Sequence, residues 1–474
     1  MQDNGFDPGR EFWSVPAPPE PAGLTERASR GFAAHVLARP WFDHAALFAL
    51  RRWFFPLSRM WAAAEVAGGD PDRFHAGVPL PARLEHRDRL QRVLHVFEQR
   101  RAAVQAIDAE WRGVFFGPED QPAAYRMAVE AARARLRHDF SSMRGEFRFL
   151  ASRSVPRVRM AVDPPELAAA LYGRAIDDLG PFVAPPAVMP VVEVSRPFRT
   201  ALGLDYWVRF PSPSARLGDT VYARVHEPER ARDPPTVVFG HGICVEPENW
   251  QGMIDECEPL VRRGFRVIRP DAPWHGRRAR PGRFGGEPII AAFPTGALDA
   301  VTGALQEWAV LAHWARARSN GPLVFAGSSL GAMTAQLAAD RARDWPPLVR
   351  PDALLLITHT GDLADAVIEG ALSRIWASPD EVKSKGWTEA MAEPYFAALN
   401  PKRPLVVPPE RIVSVLGRRD VVLPFESGRR LVERWGLPAE NVFIRDRGHF
   451  SVPMTLLADD APLRRLAEIV ARGF

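Results

Sequence analysis

From residue 235 to the end, the chain alternates short apolar runs with longer amphipathic stretches. The runs are PTVVFGHG, FRVIRPDAP, PLVFAGSS, DALLLIT, RIVSVLGRRD and NVFIRDRGH. Helical patterns follow them near 250–263, over 296–318, from Gly331, in pieces up to about 398, from about 425, and in a last segment. Strand then helix, repeated this often, predicts a mainly parallel sheet covered on both faces. Catalysis in such sheets sits at the carboxyl ends of the strands.

The region before that alternation has a different period. Residues 1–23 are a proline-rich lead, and residues 24–180 read as mostly helical. ARLEHRDRLQRVLHVFEQRRAAVQAIDAEW places Leu84, Leu90, Val93, Leu94, Phe97, Val104, Ile107 and Trp111 at spacings of three, four and seven, the mark of one apolar helix face. AAYRMAVEAARARLRHDFSSM is a second such helix. Past the prolines at 181–190, VMPVVEVSR, LDYWVRF and DTVYARVHE are short, β-branched or aromatic, and read as antiparallel strands leading into the parallel sheet.

A nucleophilic serine needs exposure, a base within reach, and donors for the oxyanion that forms. A G-x-S-x-G turn between strand and helix supplies the exposure, because glycines on both sides allow the strained backbone. Gly327-Ser328-Ser329-Leu330-Gly331 puts Ser329 in that register and leaves Ser328 off it. The base is expected after the last strand, where RDRGHFSVP carries His449. The acid is expected after the strand before it, where SVLGRRDVVLP carries Asp420, with Asp362 as the substitute. Asp446 lies too close to His449 in sequence to orient it. His241, His275 and His359 also lie near strand ends and read as structural histidines. The backbone N–H groups of Ile243, in the loop FGHGICVEPENW, and of Leu330, at the start of the helix, are the candidate oxyanion donors.

Those motifs, GSSLG, HG, RRDVVLP and RGHFS in this order, resemble the α/β-hydrolase superfamily over residues 188–474. The resemblance implies a sheet of about eight strands and hydrolysis of an ester, thioester or amide through an acyl-enzyme, with Ser329, Asp420 and His449 as triad and Ile243 and Leu330 as oxyanion pair. A carboxylesterase is the expected activity. The alternatives are acyl transfer to an alcohol with the same triad, and a degenerate hydrolase fold serving as a binding scaffold.

Two further stretches bear on substrate. Residues 359–408 are far longer than an ordinary connection of about 4–6 residues and read as a cap over the strand ends, with Ile375 and Trp376 either facing substrate or packing on helices. WHGRRARPGRFGGEP begins at a strand end and holds Arg277, Arg278, Arg280 and Arg283. Either it is a solvated loop in an arginine-rich chain, or Arg277 or Arg278 forks onto the carboxylate or phosphate of an anionic acyl substrate.

Totals exclude other classes. The formal charge is only +4, spread evenly between the halves, so no basic arm for nucleic acid is expected; only three lysines, Lys383, Lys385 and Lys402, stand among the 61 basic residues. Two cysteines, Cys244 and Cys257, suit neither a disulfide framework nor a paired metal site, and no metal or cofactor is expected. An acidic, proline-rich start and the lack of a run of 18 apolar residues predict a cytoplasmic protein with no integral membrane segment and a small-molecule ester as partner.

Overall fold

The computed structural model describes residues 39–78, 84–151, 155–229, 233–245, 256–376, 378–402 and 404–473. The proline-rich lead, and the start of the helix expected near 250–263, lie outside the described residues. Only Glu258–Val261 of that helix is described.

The chain begins with α1 (Pro40–Ala49), passes through a π-helical turn, Leu50–Phe54, and continues as α2 (Phe55–Ala67). Pro56 explains the wide turn: it has no N–H to donate, and its ring crowds the carbonyl four residues back. After a short helix at Pro71–Gly77, α3 (Leu84–Phe116) and α4 (Ala123–Ser142) form a helical pair. Of the positions picked out by helical spacing, Leu90, Leu94, Phe97 and Trp111 are fully buried, Val104 and Ile107 nearly so, and Val93 is half-buried, while the Leu84 side chain lies outside those described. Trp111 leaves this pair and meets Trp207 of the sheet edge to face at 5.1 Å. Helix α5 (Pro165–Asp177) leads into the sheet.

The sheet comprises β1 (Glu193–Val194), β2 (Phe198–Thr200), β3 (Gly203–Pro211), β4 (Thr220–Pro228), β5 (Thr236–Gly240), β6 (Arg266–Pro270), β7 (Leu323–Ser328), β8 (Ala353–Ile357), β9 (Ile412–Gly417) and β10 (Val442–Arg445). Its order is β1-β3-β4-β6-β5-β7-β8-β9-β10, with β2 also on β3. Strands β5 to β10 run parallel, while β1 to β4 join antiparallel. The ten strands exceed the eight expected because two very short ones, β1 and β2, attach to β3. The run VMPVVEVSR yields only the two residues of β1.

Helices α6 (Thr295–Arg316) and α7 (Leu330–Arg341) follow β6 and β7. After β8 come short helices at Leu363–Ile368, Ser373–Trp376 and Pro379–Ser384, then α8 (Glu389–Ala398). Helix α9 (Phe425–Trp435) follows β9, and α10 (Ser451–Thr455) and α11 (Ala461–Ala471) follow β10. The β5, β7 and β8 strands are buried throughout, with one large apolar cluster on one sheet face and a second on the other. No described helix is long and apolar enough to cross a membrane.

Candidate active site

Strand β7 ends at Ser328 and α7 starts at Leu330, so a single residue makes the turn. Ser329 takes φ 55° and ψ −114°, a conformation that L side chains rarely adopt and that is paid for by the surrounding packing. Two glycines make it possible. A Cβ on Gly327 would lie 2.3 Å from the Gly331 carbonyl carbon, and one on Gly331 would lie 2.0 Å from the Gly240 oxygen. The backbone N–H of Ser329 donates to Ile357 and that of Gly331 to His241, fixing the turn to β8 and to the loop after β5. Ser328 is buried inside β7 and Ser329 is half-buried.

The structure brings the three expected side chains together. Nδ1 of His449 lies 2.8 Å from Oδ2 of Asp420, and its Nε2 lies 3.1 Å from Oγ of Ser329. The other oxygen of Asp420 accepts from the N–H groups of Val422 and Leu423, both at 2.9 Å, so the carboxylate is held from behind. A carboxylate can only accept, so Nδ1 carries the proton and Nε2 is left to accept from the serine hydroxyl. Asp420 and His449 are both buried.

The competing acids are placed elsewhere. Asp362 caps the helix at Leu363–Ile368 through the N–H of Ala364 and also accepts from Asn400. Asp446 pairs with Arg419 at the surface.

Ile243 sits in the turn after β5, and Leu330 begins α7. The loop lies against the serine: a Cβ on Gly242 would be 3.5 Å from Cβ of Ser329. Two histidines hold it. His241 accepts from the Ala272 N–H through Nε2 and donates from Nδ1 to its neighbour Gly242. His275 accepts from the Cys244 N–H at 3.0 Å and donates from Nδ1 to Pro273. Their rings meet edge to face at 4.9 Å. Burial lowers both pKa values, that of His275 to about 3, so both stay neutral and can accept. His359, likewise pushed down to about 3 by burial, bonds Ser414. The reading of these histidines as structural left out that two of them brace the loop carrying Ile243. Gly286 is the sequence signal for it: its φ is 79°, and a Cβ there would strike Nε2 of His275 at 2.4 Å.

Residues 237–469 match the sequence profile described as the alpha/beta hydrolase family. That segment, just under half of the chain, carries the features of the α/β-hydrolase superfamily. No curated protein matches the chain. Solved structures similar to it include a cold-adapted esterase from an Arctic intertidal metagenomic library (17% identity, 58% of this chain and 97% of the other, TM-score 0.38). Acetyl xylan esterase 1 from Thermoanaerobacterium sp. shares 15% identity over 66% of this chain and 96% of its own, with TM-score 0.40. An esterase from Pyrobaculum calidifontis shares 17% over 65% and 92%, with TM-score 0.36.

The arginine loop is solvated only in part: Ala279, Arg280 and Pro281 are exposed, while Arg278 is buried. All five N–H donors of Arg278 are used internally, on Asp219, Glu307 and the carbonyl of Asp271, and its side chain is inaccessible. It has no donor left for a substrate anion, which corrects the expectation that it could fork onto one. Arg277 lies over the rings of Trp111, Trp207 and Tyr222, with Asp271 at 3.7 Å, between the sheet and the N-terminal helices. Arg280 stacks on Trp274, and Arg283 bonds the carbonyl of Arg159. Asp271 and Trp274 are close in sequence, but Asp219, Glu307, Trp111, Trp207 and Arg159 are far away, so spacing could not reveal them. In the stretch expected to form a cap, Trp376 meets Phe55 of α2 edge to face at 5.4 Å, and Ile375 packs half-buried on the same apolar cluster.

Proposed function

We propose that the chain is a cytoplasmic serine hydrolase that cleaves a carboxylic ester through an acyl-enzyme on Ser329. One observation carries the reading: an unbroken hydrogen-bond chain from Ser329 through His449 to Asp420, on a strained strand-to-helix turn. In this mechanism Oγ of Ser329 attacks the ester carbonyl carbon while Nε2 of His449 takes its proton. The N–H groups of Ile243 and Leu330 hold the resulting oxyanion, a contribution of about 3–4 kcal/mol for each such donor. His449 returns the proton to the departing alkoxide, and the alcohol leaves. Water, deprotonated by His449, then attacks the acyl carbon, releasing the acid and restoring the serine. Asp420 holds the imidazole in its Nδ1–H tautomer and stabilises the cation that forms. With Arg278 saturated, a neutral ester is the favoured substrate.

The test is labelling with a fluorophosphonate probe, followed by turnover of p-nitrophenyl esters of graded acyl length with and without added alcohol. Labelling of wild type but not of Ser329→Ala, with free acid as product, is expected. Transfer of the acyl group to the alcohol in preference to water would make the chain an acyltransferase, and absence of labelling would leave a binding scaffold.

A further inference from the structure

His449 is followed by two backbone N–H groups that turn away from the sheet, and both end on one carboxylate. Asp43, in the first turn of α1, accepts from the Phe450 N–H at 2.7 Å and from the Ser451 N–H at 3.3 Å through Oδ1. Its Oδ2 accepts the Ser451 hydroxyl, and Oγ of Ser451 in turn accepts from the Gly448 N–H at 3.2 Å. The carboxylate therefore grips Phe450 and Ser451 directly, and Gly448 through Oγ of Ser451, from 407 positions away in the chain. It is buried, as is Ser451. Gly448 has no side chain where the contact is made: a Cβ there would lie 2.4 Å from Cγ of Asp43.

The support behind Asp43 is firm. Helix α1 runs through the π turn into α2, where the wholly buried Arg59 makes two bonds to Glu287, at 2.8 and 2.7 Å, and a third to the Gly282 carbonyl. Glu287 directly follows Gly286, the residue that abuts His275. The opposite flank of the histidine loop is held by the turn after β9, where the Arg419 N–H donates to the Arg447 carbonyl.

We propose that Asp43 is a positioning residue for the base, fastening the loop so that Nε2 of His449 meets Ser329; the first described helix is then part of the hydrolytic site. The proposal rests on the reading of His449 as the base. Without the carboxylate, two buried N–H groups lose their acceptor and the loop must move to find another, and catalytic geometry is sensitive to such small displacements.

The experiment uses the full-length chain with p-nitrophenyl acetate and a fluorophosphonate, measuring kcat, KM and labelling rate for Asp43→Ala and Asp43→Asn, each in wild type and in His449→Ala. Asp43→Ala should lower kcat and labelling rate together by about tenfold or more with KM within about twofold, and add no further loss in the His449→Ala background. Asp43→Asn, whose amide oxygen still accepts from both N–H groups, should lose less, about threefold or more; it decides the matter if Asp43→Ala does not fold. Wild-type kcat in Asp43→Asn, or an equal fall with and without His449, would overturn the proposal. Labelling that survives Ser329→Ala would instead overturn the acyl-enzyme reading beneath it.

Discussion

The two halves of the site are held in different ways. The nucleophile side is self-supporting: Ser329 is fixed by glycines within its own turn, by the neighbouring strand β8, and by a loop that His241 and His275 brace from the next connection along the sheet. The histidine side depends on Asp420 after β9 and on Asp43 from a helix outside the sheet. A local frame gives a motif that can be read from spacing. A frame assembled from afar does not.

The largest effect expected is that of Ser329→Ala, which removes the nucleophile and leaves the scaffold of both sides in place. Turnover of p-nitrophenyl esters should fall by about 10³-fold or more with an unchanged melting curve. If Ser328→Ala were the inactive variant and Ser329→Ala the active one, the register of the turn would be wrong.

Next is Arg278→Gln, in the loop that carries His275. It leaves Glu307 buried without its charge partner, and burial already raises the pKa of that carboxyl. Removing one member of a buried pair costs about 3–5 kcal/mol, so denaturant unfolding should register a loss of that order. A variant as stable as wild type, with weaker use of carboxylate-bearing esters, would return Arg278 to the substrate.

Acid sharpens the comparison further. His275 and His359 titrate at about 3 when folded and near 6.5 when unfolded, so between those values the unfolded chain binds more protons. Stability should be fully present above pH about 6.5 and fall as pH drops toward 3, by at most about 1.4 kcal/mol per pH unit for each histidine. Chemical unfolding at a series of pH values measures the slope, and His359→Gln should remove one share of it. An identical slope in that variant would show that His359 is not one of the groups responsible.

The smallest effect expected is that of Trp376→Ala, where the segment after β8 touches α2. A shift of about fivefold in relative kcat/KM between short and longer p-nitrophenyl esters is expected, about 1 kcal/mol, the low end of one methylene's worth of pocket contact. An unchanged preference would leave Trp376 as packing against Phe55.

What the sequence revealed follows the same division. The sheet, its covering helices and the trio Ser329, Asp420 and His449 were legible because each lies at a fixed place relative to its own strand. The helical face from Leu90 to Trp111 was legible through its period. Arg278 misled because Asp219 and Glu307, which saturate it, lie 59 and 29 residues away. Asp43 was silent for the same reason, although Gly448 carried a trace of it: a glycine beside His449 marks a place where something else comes close. The extra strands β1 and β2 were short enough to be decided by pairing with β3 rather than by propensity.

The π turn at Leu50–Phe54 gives the N-terminal helix the character of a gear with one added tooth. In an α-helix each residue advances the azimuth by about 100°, and Asp43 lies upstream of the added residue while Arg59 lies downstream. Deleting one residue between them would rotate α1 against α2 by about that angle and carry Asp43 off the histidine loop while Arg59 stayed on Glu287. The phase of this helix, and not only its presence, therefore decides whether Asp43 reaches the histidine loop.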